Sequence, residues 1–377
     1  MQMNQTGRIV LCVLCGLLIL AAPFLISSPA MLSEVEWELR ETLDTEEGEE
    51  LDLGRMLFSS ACAEETAGSE DELIEETWDE TDSDLGPAVY ELPVDFSVPP
   101  APKEENYTEN GYEDETIRVR MEDREEDGVL WHLAFIQIAS PTQIRTATAV
   151  SADLDELYAA GDDSALEKQL KKVLTSSRVS SVSGMARNNH AVVAINGDNF
   201  ADNPQKTTFE YRMGQKIRSK TNRTKDMLII DENGDFHLVP AQEKNAQAAA
   251  LEAVAKEHRI VNAYTFGPAL VMDGEMCEIN KEYGYNPNGR EPRAAVGQMG
   301  HLSYVLAIAE GRGSSSGVTQ QELAQFMAEL GCRQAFNFDG GNSAEMVFHE
   351  QKYKGMPGGD ERGLSDILYF ATAVPEV

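Results

Sequence analysis

Basic residues are scarce in this 377-residue chain: 31 Lys and Arg stand against 65 Asp and Glu, a formal charge of −34. That balance excludes ordinary nucleic-acid binding, because a phosphate backbone is held by clustered Lys and Arg. Cysteine is also sparse, with 5 residues. Cys12 and Cys15 lie in an apolar run, Cys62 in an acidic segment, and Cys277 and Cys332 in the globular part. No C-x2-C pair with a second pair or with His partners appears, so no cysteine zinc cluster is read here. A Cys277–Cys332 disulfide is open in an oxidising compartment, and two buried thiols are the plainer reading. Internal repeats are lacking.

Only one apolar run is long enough to matter for a membrane. Residues 9–27, IVLCVLCGLLILAAPFLIS, carry no charge over 19 positions, which is the length of a spanning helix. Arg8 precedes it and acidic residues follow, so the positive-inside rule puts the N-terminus in the cytoplasm and the rest outside. Pro29 interrupts the small residues that a cleavage site would need, so the run reads as an anchor rather than a cleaved signal peptide.

The acidity is not spread evenly. Residues 33–127 hold 34 Asp and Glu and 6 Lys and Arg, a local balance of −28, which leaves only −6 for everything else. Pro99, Pro100 and Pro102 cluster there and no sustained periodicity is visible. Such a segment repels itself and buries too little to offset its ordering entropy. The expectation is a disordered stalk over 33–127, with a short helix possible around Ser33–Leu57. It follows a tip and anchor over 1–32 and leads to a single catalytic domain over 128–377.

From Gly128 the texture changes. Residues 131–138 and 144–150 alternate as strands do, and further apolar strands are expected at 191–195, 227–231, 235–241, 269–274, 304–310 and 334–340. Asn233-Gly234 reads as a hairpin turn. Helices are expected over 164–174, 179–189, 243–258 and 320–330. The last is the best defined: Thr319 and Glu322 form the capping-box pattern, Leu323, Phe326, Met327 and Leu330 make an apolar face, and Gly331 ends it. The fold class that results is α+β, with mixed sheets and flanking helices.

Polar groups gather beside glycine at four strand ends, where sheet-based domains usually hold reacting groups. AINGDNF (194–200) places Asn196 and Asp198 around Gly197. REPRAAVGQ (290–298) opens a strand with Arg290 and Arg293, and an Arg fork suits a phosphodiester. IAEGRGSSSGVT (308–319) carries Glu310 and Arg312 into a Gly/Ser loop whose N–H groups suit an anion. FNFDGGNSAEMVF (336–348) sets Asp339 before Gly340 and Gly341, with Asn342 and Ser343 presenting donors. A strand-end carboxylate needs partners, so this position points to function. Each stretch alone also reads as a plain turn, surface ion pair or linker.

The ordered set AINGDNF, RAAVG, AEGR, GVTQQELA, NFDGGNSAEMVF and Glu361-Arg362 resembles the phosphodiester glycosidase family over roughly 130–375. Its members include N-acetylglucosamine-1-phosphodiester alpha-N-acetylglucosaminidase and bacterial exopolysaccharide-associated proteins. The chain departs where the family usually has N-G-G-F-F, D-G-G-G-S and E-R-P-V: Asp198-Asn199, Asn342 and Gly363-Leu364 stand there. The resemblance implies a hydrolase that cleaves a sugar C1–O–phosphate bond in a surface or extracellular glycan. It implies Asp339 as nucleophile or base with Glu310 as its partner, and Arg293 and Arg312 on the phosphate. Asn196, Asp198, Gly340, Gly341, Asn342 and Ser343 would line the substrate, with Arg362 closing the site. No cofactor is implied, and a divalent ion on Asp339 or Asp198 stays open. The alternatives are a non-catalytic module that binds an anionic glycan and a structural surface protein that works through its stalk.

Overall fold

Strands outnumber helices among the regular elements of this chain, whose computed structural model describes residues 98–149, 179–198, 209–219, 224–242, 244–354 and 361–374. These fall within one compact unit, Thr77–Val377. The anchor expected over 9–27, the helix expected over 164–174, Asn199 and Phe200 lie outside the described residues. Among those described, no helix is long and apolar enough to cross a membrane.

The chain opens with β1 (Tyr107–Thr108), β2 (Gly111–Glu113), β3 (Ile117–Glu126), β4 (Val129–Ile138) and β5 (Ile144–Thr148), then α1 (Val182–Asn188) and β6 (Val193–Asn196). Next come β7 (Phe209–Arg212), β8 (Gln215–Ser219), β9 (Asp226–Asp231), β10 (Phe236–Val239), α2 (Lys244–Glu257) and β11 (Ile260–Phe266). β12 (Ala269–Met272), β13 (Glu275–Met276), β14 (Arg293–Gly300), β15 (Ser303–Ala309), α3 (Gln320–Glu329) and β16 (Gln334–Phe338) follow. The last strands are β17 (Met346–Phe348), β18 (Gln351–Lys354) and β19 (Asp366–Phe370).

Among the described residues three sheets result: β1-β2-β3-β4-β15-β14-β16-β12-β13, β10-β9-β11-β7-β8 and β18-β17-β6-β19-β5. The named strands pair antiparallel throughout, so the sheets are not mixed and the domain is mostly β. One face of each sheet meets in a common core that includes Ile136, Val296 and Phe338 from the first sheet, Leu228 and Tyr264 from the second, and Ile195 and Leu368 from the third. Each opposite face takes one helix. α3 covers the first through Leu323, Phe326 and Met327, α1 the third through Val182 and Met185, and α2 the second through Leu251. The capping box at Thr319 and Glu322 forms as its spacing predicts. Cys277 and Cys332 are separate thiols.

The domain begins earlier than the acidity suggests. Residues 107–126, expected in the disordered stalk, are three paired strands of the first sheet. Ile117, Val119 and Met121 alternate into the core, while the outward charges neutralise one another. Arg118 pairs with Glu113 at 2.8 Å, and Arg120 and Arg124 both pair with Glu122 at 2.6 and 2.7 Å. Arg120 also lies over the Phe135 ring, 4.3 Å from its centre. Net charge per segment hides this pattern, because a half-buried strand needs only every second residue apolar.

Candidate active site

Three strand ends fix the centre. β6 stops at Asn196, β16 stops one residue before Asp339, and β19 starts at Asp366. Gly197 stitches them together: its N–H donates to Asp366 O at 3.1 Å, and its carbonyl accepts from the Asp339 N–H at 3.3 Å. A Cβ on Gly197 would lie 2.6 Å from Asp366 Oδ1, so only glycine lets that carboxyl approach. Gly340 and Gly341 turn the chain after Asp339. A Cβ on Gly340 would lie 2.7 Å from Pro292 O, and Gly341 sits at φ +59°.

Asn196 is fully buried. Its Nδ2 donates to Asp339 O at 2.8 Å, and its Oδ1 accepts from the Glu345 N–H at 3.0 Å. Asn196 therefore braces the loop that carries Asp339 and does not face substrate. Asn196→Ala leaves two buried backbone groups without partners, at a cost of about 1–3 kcal/mol each. Chemical denaturation should read a loss within that range or up to its double.

Beside this loop lies a buried charge cluster that the sequence did not reveal. Arg212 reaches Asp366 Oδ2 with Nε at 2.9 Å and Nη2 at 2.7 Å, Glu210 Oε2 with Nη1 at 3.0 Å, and Asp198 Oδ1 with Nη2 at 3.3 Å. All four side chains are buried, and the guanidinium lies 4.1 Å from the centre of the Tyr264 ring. Three carboxyls around one cation cannot all ionise without water. Burial, and then Asp198, push Glu210 well above the ordinary carboxyl range. Burial pushes Asp366 up to about 8 against the pull of Arg212. Burial works against the Arg212 charge, yet Asp366, Asp198 and Glu210 hold its pKa well above its usual value.

Asp339 is half-buried at the edge of this cluster, and its charge is one of those that raise Asp366. Tyr285 closes another side. Burial and the charges of Asp198, Asp339 and Glu210 all raise its phenol, and its ring stacks on Phe266 with centres 4.2 Å apart. Buried Lys225 sits between Tyr285 and Tyr283, at 3.6 and 4.6 Å from their ring centres. Arg218 feels Glu210 and Asp198 from β8.

Two further arginines flank the glycine loop. Arg312 Nη1 donates to Asn342 Oδ1 at 2.6 Å while its Nε holds Glu291 at 2.6 Å. Arg362 Nη1 donates to Ser343 Oγ at 3.0 Å. Its neighbour Glu361 accepts from Ser183 N–H and Oγ at 3.1 and 2.8 Å, which fixes that end.

Two expected residues go elsewhere. Arg293 donates to the carbonyls of Val318, Tyr285, Asn286 and Gly289 at 3.2, 3.0, 2.7 and 3.0 Å, which leaves little of its fork for a phosphate. Glu310 follows β15, with β14 between it and the strand of Asp339, a backbone separation of about 10 Å. Glu310 Oε1 instead meets buried His132 Nε2 at 2.9 Å, whose Nδ1 meets Asp123 at 2.7 Å. Sequence reasoning missed Glu210, Arg212, Lys225, Tyr285 and Asp366. The available signal was Glu210-x-Arg212, two charges on one face of an otherwise apolar strand. The larger of two described surface depressions, about 650 Å³, is lined by Asp235, Asp273, His301 and Arg333 at the opposite end of β14 and β16, and contains none of these groups.

The family model described as phosphodiester glycosidase matches residues 189–371. A SPbeta prophage-derived uncharacterized protein of Bacillus subtilis is 26% identical over 191 residues, 50% of this chain and 29% of that protein. The chain thus spans under a third of the length of that curated relative. The catalytic domain of zebrafish N-acetylglucosamine-1-phosphodiester alpha-N-acetylglucosaminidase, auto-inhibited by its pro-peptide, is similar with a TM-score of 0.50 and 16% identity, over 72% of this chain and 86% of that one. A hypothetical protein from Synechocystis gives a TM-score of 0.43 at 15% identity, over 68% of this chain and 62% of that one. At 16% identity the likeness to the zebrafish domain is one of fold alone.

Proposed function

We propose that this chain, whose residues 189–371 match the family model described as phosphodiester glycosidase, hydrolyses a glycosyl-1-phosphodiester in an extracytoplasmic glycan. The observation that carries the proposal is the half-buried carboxylate of Asp339 beside a buried Arg212–Asp198–Glu210–Asp366 cluster, with Arg312 and Arg362 flanking its loop. The reaction breaks the sugar C1–O bond, the phosphate monoester keeps the electron pair, and water supplies the new oxygen at C1. A phosphate leaving group is already a stable anion, so little general-acid help is needed. What the site must supply is negative charge near an oxocarbenium-like carbon and positive charge near the phosphate.

Asp339 meets the first need, as the carboxylate of the centre that is not sealed from substrate. Arg312 and Arg362 meet the second from the two ends of its loop. Asn342 is exposed and Arg312 holds its Oδ1, which turns its amide nitrogen to a substrate oxygen, while buried Ser343 anchors Arg362. Tyr285 backs the centre, its ring packed against Phe266 and Lys225. Arg293 and Glu310 take supporting roles, the first as a clamp on the loop at 285–289. The apolar run at 9–27 with Arg8 before it supports the extracytoplasmic setting.

The test is a screen of the purified chain against sugar-1-phosphodiesters and surface glycans. Reducing sugar and phosphate monoester should appear in equal amounts. Tight binding of these compounds without release of either product would favour a glycan-binding module instead.

A further inference from the structure

A second polar centre lies away from the glycine loop, where β9 ends. We propose that Asp231, His237 and His258 form a binding site for a divalent ion of the zinc class that fastens the β9–β10 hairpin to the turn between α2 and β11. Two of the chain's six histidines converge on one carboxylate oxygen. Asp231 Oδ2 lies 2.9 Å from His237 Nε2 and 2.9 Å from His258 Nδ1. One donor atom from each of the three side chains falls within 4.8 Å of the others.

The rest of the carboxylate is already committed. Asp231 Oδ1 accepts from the Asn233 and Asp235 N–H groups at 2.8 and 3.0 Å. The Asn233-Gly234 turn therefore holds the side chain in place and leaves Oδ2 aimed at the two rings. Outer hydrogen bonds of this kind orient metal-ligating carboxylates. A tetrahedral zinc ion at about 2.0–2.1 Å from nitrogen and oxygen separates its ligand atoms by roughly 3.3 Å. The observed 2.9 Å contacts need to open by only a few tenths of an ångström.

Burial is graded in the right sense. The Asp231 side chain is fully buried, while His237 and His258 are 25% and 29% exposed, which leaves a way in and room for a water ligand. Asp231 and His237 lie on the face of the sheet that α2 covers, since His237 pairs with Ile229 of that face. His258 follows α2 directly, and its N–H donates to Val254 O. The ion would thus sit by the negative pole of that helix. Two imidazoles and one carboxylate favour zinc, copper, nickel or cobalt over magnesium or calcium, which prefer all-oxygen sites. The strand β11 separates β9 from β7, which carries Arg212, so the ion braces the fold and takes no part at Asp339.

The bland account is a pair of His–Asp hydrogen bonds with no metal. The experiment that separates the two uses the full chain stripped with chelator, then titrated with Zn²⁺ or Co²⁺. The parent should take up one more equivalent of Zn²⁺ than His237→Ala/His258→Ala, with a higher melting midpoint. Co²⁺ should give visible bands that the double variant lacks. His237→Gln can still donate to Asp231 but is a poor ligand. It should keep the metal-free melting midpoint and weaken Zn²⁺ binding by more than the roughly 10–100-fold that loss of an outer partner costs. Equal Zn²⁺ uptake by the parent and the double variant, or no Zn²⁺-induced shift in the parent, overturns the proposal.

Discussion

Asp339→Asn is expected to lower turnover on any glycosyl phosphodiester that the parent cleaves by about 10²–10⁴-fold, the usual span for a positioned acid or base. The fold should survive. Two backbone bonds hold this residue in its loop: its N–H donates to Gly197 O and its carbonyl accepts from Asn196 Nδ2. Asparagine leaves both bonds in place and matches the side chain in size. The substitution removes charge at the half-buried edge of the site, where a reacting sugar can arrive. It also removes one of the charges that keep Asp366 protonated, so the pH profile of any residual activity should move as well. Steady-state kinetics with a melting curve on the same sample decide the matter. The fall should appear in kcat, because Arg312 and Arg362 still hold the phosphate. Near-normal kcat in a folded variant removes Asp339 from the chemistry.

Legibility in the sequence followed how local each cause is. The α3 capping box, the Asn233-Gly234 turn and the glycines after Asp339 were readable, because each is decided within a few residues. The loop at Asp339 was found for the same reason. β1–β3 were missed because acidity averaged over the segment masked a strict alternation at Ile117, Val119 and Met121. The site was half legible. Arg293 and Glu310 have suitable chemistry, but the strands that follow or precede them send one into backbone carbonyls and the other to His132. Arg212 and Asp366 lie 154 positions apart, and neither stands in a conspicuous motif. Their meeting depends on how two sheets pack around one core, which no local pattern encodes.

The cluster that those two residues share yields the largest expected effect on stability. Arg212→Met keeps the volume and removes the cation beside Asp198, Glu210 and Asp366. Breaking a buried pair in this way costs about 3–5 kcal/mol, a large part of the 5–15 kcal/mol typical of a domain. The cost should depend on pH in a definite direction. Glu210 and Asp366 have folded pKa values raised above their unfolded ones, Asp366 to about 8. The native state therefore holds protons that the unfolded chain has released, and stability falls as pH rises from about 4 toward 8. Without Arg212, whose charge lowers both groups, Glu210 and Asp366 must stay more fully protonated, so each extra proton retained steepens that fall by about 1.4 kcal/mol per pH unit. Denaturation midpoints across this window should show the variant close to its parent at the acid end and far below it at the alkaline end. Glu210→Gln, which mimics the protonated acid, should instead flatten the slope with little loss at neutral pH. A deficit in Arg212→Met that is constant across the window would mean that packing, and not the shared proton balance, is what Arg212 supplies.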